Sequence, residues 1–159
     1  MTTYLPIKYR ILGRHALPTD TKVWQWINWS PVILAVKSLQ SRIVKAVKNH
    51  KWRKMKALQS LLSKSYASKL LAIRRITENS GKRTAGIDGE KWNTPEAKFE
   101  AVTQLRAYGY KPLPVRRIKI LKSNGKYRPL GIPTMRDRAM QALYLQTLDP
   151  VSETLADEN

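Results

Sequence analysis

The residue types able to do chemistry gather in one stretch, "ILKSNGKYRPLGIPTMRDRAMQ", residues 120–141. Lys122 stands just before an Asn-Gly pair, a strong turn signal, and Arg128 follows six residues later on the returning strand. Across a tight turn the two side chains can converge on one anion. A guanidinium fork supplies geometry and an ammonium supplies charge, a pair suited to a triphosphate. The same cations also suit a plain surface hairpin kept soluble by charge, and spacing alone leaves both readings open. The carboxylates read differently. Asp137, three residues after Thr134, fits a helix cap. Asp149, Glu153, Asp157 and Glu158 read as a solvated tail rather than a metal site, and His15 and His50 have no evident partner group. With no cysteine, disulfides and thiolate metal sites are excluded.

The charge balance gives these cations a context. Thirty Lys and Arg against eleven Asp and Glu leave a formal +19 on 159 residues. Such a chain repels itself unless a polyanion is near, which points to nucleic acid first and an anionic membrane surface second. From Thr21 to Thr77 there are thirteen Lys or Arg and no acid. A solvated helical face normally mixes signs, because i,i+4 pairs of opposite charge stabilise a helix and like pairs do not. A polyphosphate-binding surface is therefore preferred here. Trp24, Trp26, Trp29 and Trp52 lie among these cations and suit either base stacking or core packing. Most are expected in the core. No helix-turn-helix spacing, zinc ligand set or basic-zipper heptad is present to read a duplex groove. Apolar runs are far too short to span a bilayer and no secretory signal is evident, so no membrane partner and a cytoplasmic location are expected.

The elements that must position these groups follow from pattern. The spacing predicts an amphipathic helix from Pro31 to about Asn49, capped by Ser30, with Val32, Val36, Leu39, Ile43, Ala46 and Val47 on one stripe. Lys37, Arg42, Lys45 and Lys48 fall opposite. A second helix is predicted over about Trp52–Ser63 with Met55, Leu58, Leu61 and Leu62 inward, and a third over about Tyr66–Thr77 with Leu70, Leu71 and Ile73. Glycines mark 78–90 as a loop. A fourth helix runs from Thr94 to about Ala107, a hairpin from 114 to 133, and a last helix from Met135 to about Leu148, stopped by Pro150. Pro129 cannot donate to a ladder and so belongs at a sheet edge. The fold class expected is mainly α with a β-hairpin (α+β).

The run "YKPLPVRRIKILKSNGKYRPLGIPTMRDRAMQALYLQTLDPVSE", residues 110–153, resembles the first fingers block of group II intron-encoded reverse transcriptases, the maturases. Upstream, "WINWSPVILAVKSLQSRIVKAV", "LQSLLSKSYASKLLAIRRITENSGKRTAGIDG" and "YGYKPLPVRRI" are similar to that family's N-terminal extension. The resemblance covers about Trp24 to Asn159. Residues 1–20, with Pro6, Gly13 and Pro18 and no clear period, read as a poorly ordered leader, and the resemblance implies a basic helical N-terminal extension over 21–109 and, over 110–159, a partial fingers subdomain that stops before the palm.

The resemblance also assigns roles. The family's extension helps bind intron RNA near the template, which gives the acid-free span a partner in structured RNA. Lys37, Arg42, Lys45, Lys48, Arg53, Lys54, Lys56, Arg74 and Arg75 are the candidate contacts there, with Arg116, Arg117, Lys119 and Lys126 on the hairpin as weaker candidates. The fingers cations that meet the incoming triphosphate match Lys122 and Arg128. "TAGIDG" at 84–89 matches a family loop, whose glycines permit close approach to a backbone. Polymerisation in the family uses Mg2+ held by palm aspartates. Those motifs do not occur in this sequence, so no cofactor is expected in this chain. By itself it is expected to bind RNA without polymerase activity, either as a truncated reverse transcriptase or as a split one whose palm a complementing chain could supply. The alternative is a non-enzymatic RNA-binding or chaperone module, or a decaying remnant.

Overall fold

The structure, a computed structural model, describes residues 24–156. The leader expected over 1–20 lies outside the described residues. Among the described residues there are five α-helices and one two-stranded antiparallel hairpin, as the α+β expectation requires.

Helix α1 spans Trp29–Lys48, α2 Trp52–Lys64 and α3 Tyr66–Glu78. A 3-10 turn covers Ser80–Arg83, inside the stretch expected to be plain loop. Helix α4 is Pro95–Gln104, β1 Arg116–Leu121, β2 Tyr127–Ile132 and α5 Met135–Ala156. No helix among the described residues is long and apolar enough to cross a membrane.

The stripe predicted for α1 is buried: Val32, Val36, Ile43, Ala46 and Val47 face inward, with Leu39 packed at the margin. Its cap is not Ser30. Asn28 caps it, accepting from the Ser30 amide at 3.2 Å, so the helix begins two residues earlier. Pro31 becomes the third helical residue, where an amide has no partner within the helix and its loss costs little. On α2, Met55, Leu58 and Leu62 are buried, but Leu61 is 51% exposed against the inward position expected of it. Helix α4 stops at Gln104 rather than Ala107, because Leu105 takes an extended backbone and sinks into the core at 1% exposure.

Helix α5 packs against α1, α2 and α3, and α4 packs on α3. Met135, Met140 and Leu143 join Ile43, Leu62, Leu70 and Ile73 in one core. The last helix departs most from expectation. It passes through Pro150 and continues to Ala156. Proline removes the amide that would bond the carbonyl four residues back, which is Gln146. That carbonyl instead accepts from Gln40 Nε2 of α1 at 2.9 Å, and the neighbouring Thr147 carbonyl accepts from Gln59 Nε2 of α2 at 2.9 Å. From α3, Ser68 Oγ donates to Gln146 Oε1 at 2.9 Å, and Gln146 Nε2 donates back to the Ser68 carbonyl at 3.1 Å. Each of the three neighbouring helices thus supplies one polar residue to the turn that proline disrupts.

The hairpin stands outside this core. Its register pairs Arg116 with Ile132, Ile118 with Leu130, Lys119 with Pro129 and Ile120 with Arg128. Ser123, Asn124 and Gly125 form the turn, with Gly125 at φ +75°, the Gly125 amide donating to the Lys122 carbonyl and the Lys122 amide to that of Lys126. Hydrogen-bonded and non-bonded pairs alternate from there, so Lys119 and Pro129 face each other without exchanging bonds. The missing Pro129 amide costs no ladder bond and lies on the outer edge of β2, where the sequence reading put it.

Candidate nucleic-acid interface

Cations expected on the outer side of α1 and α2 are on the surface. Lys37, Arg42, Lys45 and Lys48 are exposed on α1, and Arg53, Lys54 and Lys56 on α2. Lys51, between the helices, joins them. The two helices pack side by side. Only one ion pair forms among the described residues, Arg74 with Glu78 at 3.0 Å. No cation of α1 or α2 is therefore in an ion pair.

Arg74 is placed differently from the rest. Its guanidinium lies 4.5 Å from the centroid of the Trp29 ring and donates through Nε to both oxygens of Glu78. It is a half-buried strut, while its neighbour Arg75 is exposed. The four tryptophans among these cations divide evenly rather than falling mostly in the core. Trp24 is buried edge-on against Trp29 and Phe99, with Lys98 over its face, whereas Trp26 and Trp52 are 57% and 43% exposed. Burial holds the Lys98 ammonium below its ordinary pKa, an effect that Glu78 opposes and Lys82 reinforces.

On the hairpin, side chains alternate between faces. Arg116, Ile118, Ile120 and Lys122 share a face, and the register adds Lys126, Arg128, Leu130 and Ile132 to it. Lys122 and Arg128 are diagonal neighbours there, Arg128 opposite Ile120 and Lys122 opposite Lys126, nearer the turn. Arg117 and Lys119 point to the other face with Leu121 and Tyr127. These hairpin cations are all exposed.

The hairpin's foot is anchored by one arrangement that the sequence revealed and by others that it did not. Thr134 and Asp137 form the capping box foreseen: the Asp137 amide donates to Thr134 Oγ1 at 3.0 Å, and the Thr134 amide and hydroxyl donate to Asp137 Oδ2 at 3.2 and 2.6 Å. The Tyr110 hydroxyl donates to the other oxygen, Oδ1. Arg138 donates to three carbonyls, those of Pro133 at 3.0 Å, Gly81 at 2.9 Å and Thr84. Burial lowers its pKa, with Asp88 pulling the other way and Arg116 adding repulsion. Arg138 thereby ties the 3-10 turn and the 84–89 loop to the junction of β2 and α5. Gly86 presses on that junction so closely that a Cβ would lie 2.6 Å from Thr134 Cα. The tight approach expected of "TAGIDG" is present, and its target is Thr134. A long-range signal such as this is absent from local spacing, since Gly86 and Thr134 are far apart in sequence.

Tested against a two-metal site, the carboxylates do not fit. Asp137 is consumed by Thr134 and Tyr110, and no group of three or more His, Asp or Glu side chains able to hold a metal ion gathers among the described residues.

The N-terminal domain of reverse transcriptase matches residues 24–105, the helical part that carries the cation array. The chain belongs to the reverse-transcriptase N-terminal domain family. This reverse-transcriptase domain is 43% identical over 86 residues to Protein YkfC of Escherichia coli strain K12, a match covering 50% of this chain and 23% of the relative. It is 30% identical over 133 residues to Maturase-like protein 1 of Euglena gracilis, covering 82% of this chain and 29% of that protein. With the group II intron-encoded protein LtrA of Lactococcus lactis subsp. cremoris it shares 35% identity over 91 residues, 55% of this chain and 15% of LtrA. The chain spans less than a third of the length of these relatives. The expected kinship with reverse transcriptases of the maturase kind is met.

Proposed function

We propose that this domain binds structured RNA of the group II intron class in the cytoplasm, through the exposed cations of α1 and α2 together with Arg75. One observation carries the reading: an exposed cation array in which no residue is ion-paired, on a domain whose relatives include a maturase-like and a group II intron-encoded protein. Unpaired surface cations of one sign gain most from a partner that releases condensed counterions, and RNA is such a partner. On the hairpin, Arg116, Arg117 and Lys119 extend the RNA contacts, and Lys122 and Arg128 contact the triphosphate of an incoming nucleotide. Polymerisation then requires aspartates and Mg2+ from a palm-bearing polypeptide, and the chain alone does not polymerise.

The test is binding of the purified chain to a structured group II intron RNA and to a duplex DNA of equal charge, across a salt series. Tighter binding to the intron RNA at moderate salt is expected. Equal affinities that fall together with salt would show charge without RNA recognition and would overturn the proposal.

A further inference from the structure

The corner between α1 and α2, Asn49-His50-Lys51-Trp52, is built unusually. His50 has φ +51°, the one non-glycine residue with positive φ among the described residues. Its amide donates to the Val47 carbonyl at 2.8 Å and the Lys51 amide to that of Ala46 at 2.8 Å. These are the two bonds of a Schellman ending, in which the left-handed position is ordinarily glycine. Histidine at that position costs backbone energy that glycine would not. What histidine adds is a ring. Its imidazole centroid lies 5.9 Å from the Trp52 ring with 57° between the planes. The imidazole leans on the indole at an angle instead of covering it flat, and Trp52 remains 43% exposed. Lys48, Lys51, Arg53 and Lys54 flank the pair, all exposed and none in an ion pair.

We infer that the His50–Trp52 corner is a stacking site for an unpaired nucleotide of the bound RNA, with the flanking cations holding its phosphates. This rests on the RNA-binding reading above and adds the class of RNA: a loop or bulge with an unstacked base, not a continuous helix. An exposed indole offers nothing to a paired base, whose faces are already occupied, but an unpaired base gains a full stacking partner. The left-handed turn places ring and cations together at the corner between the two helices, where a splayed nucleotide can reach both.

Two RNAs of equal length serve as probes with the full chain: a stem closed by an unpaired loop, and a fully paired duplex. Trp52→Ala is expected to weaken loop binding about ten- to a hundredfold, to leave the salt slope unchanged, and to leave duplex binding unchanged. Trp52→Phe should keep most of the loop affinity. His50→Gly separates function from fold, since relief of the backbone cost should raise Tm while loop affinity falls. If Trp52→Ala and His50→Gly leave loop binding intact, or weaken loop and duplex equally, the stacking site is refuted while RNA binding stands. Absence of binding to either RNA by the unaltered chain would refute both.

Discussion

Individual residue types were readable where their partners are local and misleading where they are not. Thr134 and Asp137, three apart, were legible as a cap because the bond closes within one turn. Arg74 was indistinguishable by type from the free cations around it, and only the approach of Trp29 shows it as a strut. Gly86 is the sharpest case. A Cβ there would meet backbone atoms of Thr134 at 2.6 and 2.8 Å, which no side-chain rotation relieves. Gly86→Ala should therefore destabilise the fold by about 1–3 kcal/mol, read as a fall of several degrees in Tm. At Gly81 the nearest atoms to a new Cβ are 3.5 and 3.7 Å away, so Gly81→Ala should stay within about 0.5 kcal/mol. A loss at both positions of equal size would deny the role of the close approach.

At the scale of elements, periodicity placed α1, α2 and α3 and the turn signal placed the hairpin, because these depend on neighbours a few residues away. Pro150 as a stop failed because proline's cost depends on what else meets the exposed carbonyl. Here Gln40 and Gln59 arrive from other helices, and nothing in local sequence announces them. This has an energetic signature. Proline inside a helix ordinarily costs about 3 kcal/mol, but Pro150→Ala should recover less than about 1 kcal/mol, since the Gln146 carbonyl is already satisfied. Gln40→Ala should cost about 1–3 kcal/mol in the unaltered chain and clearly less beside Pro150→Ala, where a backbone amide takes over. Urea unfolding of the four proteins in this cycle measures the coupling. Strict additivity would mean that Gln40 does not stand in for the lost amide.

For the molecule as a whole, the acid-free span announced one surface of one sign, and the fold displays it on two adjacent helices. What the charge count did not show is that α5 shares the core of the N-terminal helices, while the hairpin lies outside it. The two groups of cations should accordingly behave differently. Replacing Arg42, Lys45, Lys48 and Arg53 together by Ala should weaken RNA binding strongly and flatten the slope of log K against log salt by about three. Lys122→Ala with Arg128→Ala should barely alter RNA affinity, since on this reading those side chains meet a nucleotide triphosphate instead. Filter binding across a salt series compares them, and equal losses would end that division.

Pro129 has a consequence for self-assembly. A two-stranded ribbon normally offers both flanks to further strands and so can seed a fibre. In this hairpin the β2 flank lacks a donor at its middle, while the β1 flank keeps its outward amides and carries Arg117 and Lys119. Growth on β1 alone ends when two copies meet, because each then presents only its closed side. Concentrated salt, which screens the arginine and lysine, should take the protein to a pair and no further. Pro129→Val would restore the second flank, and light scattering should then register open-ended polymers.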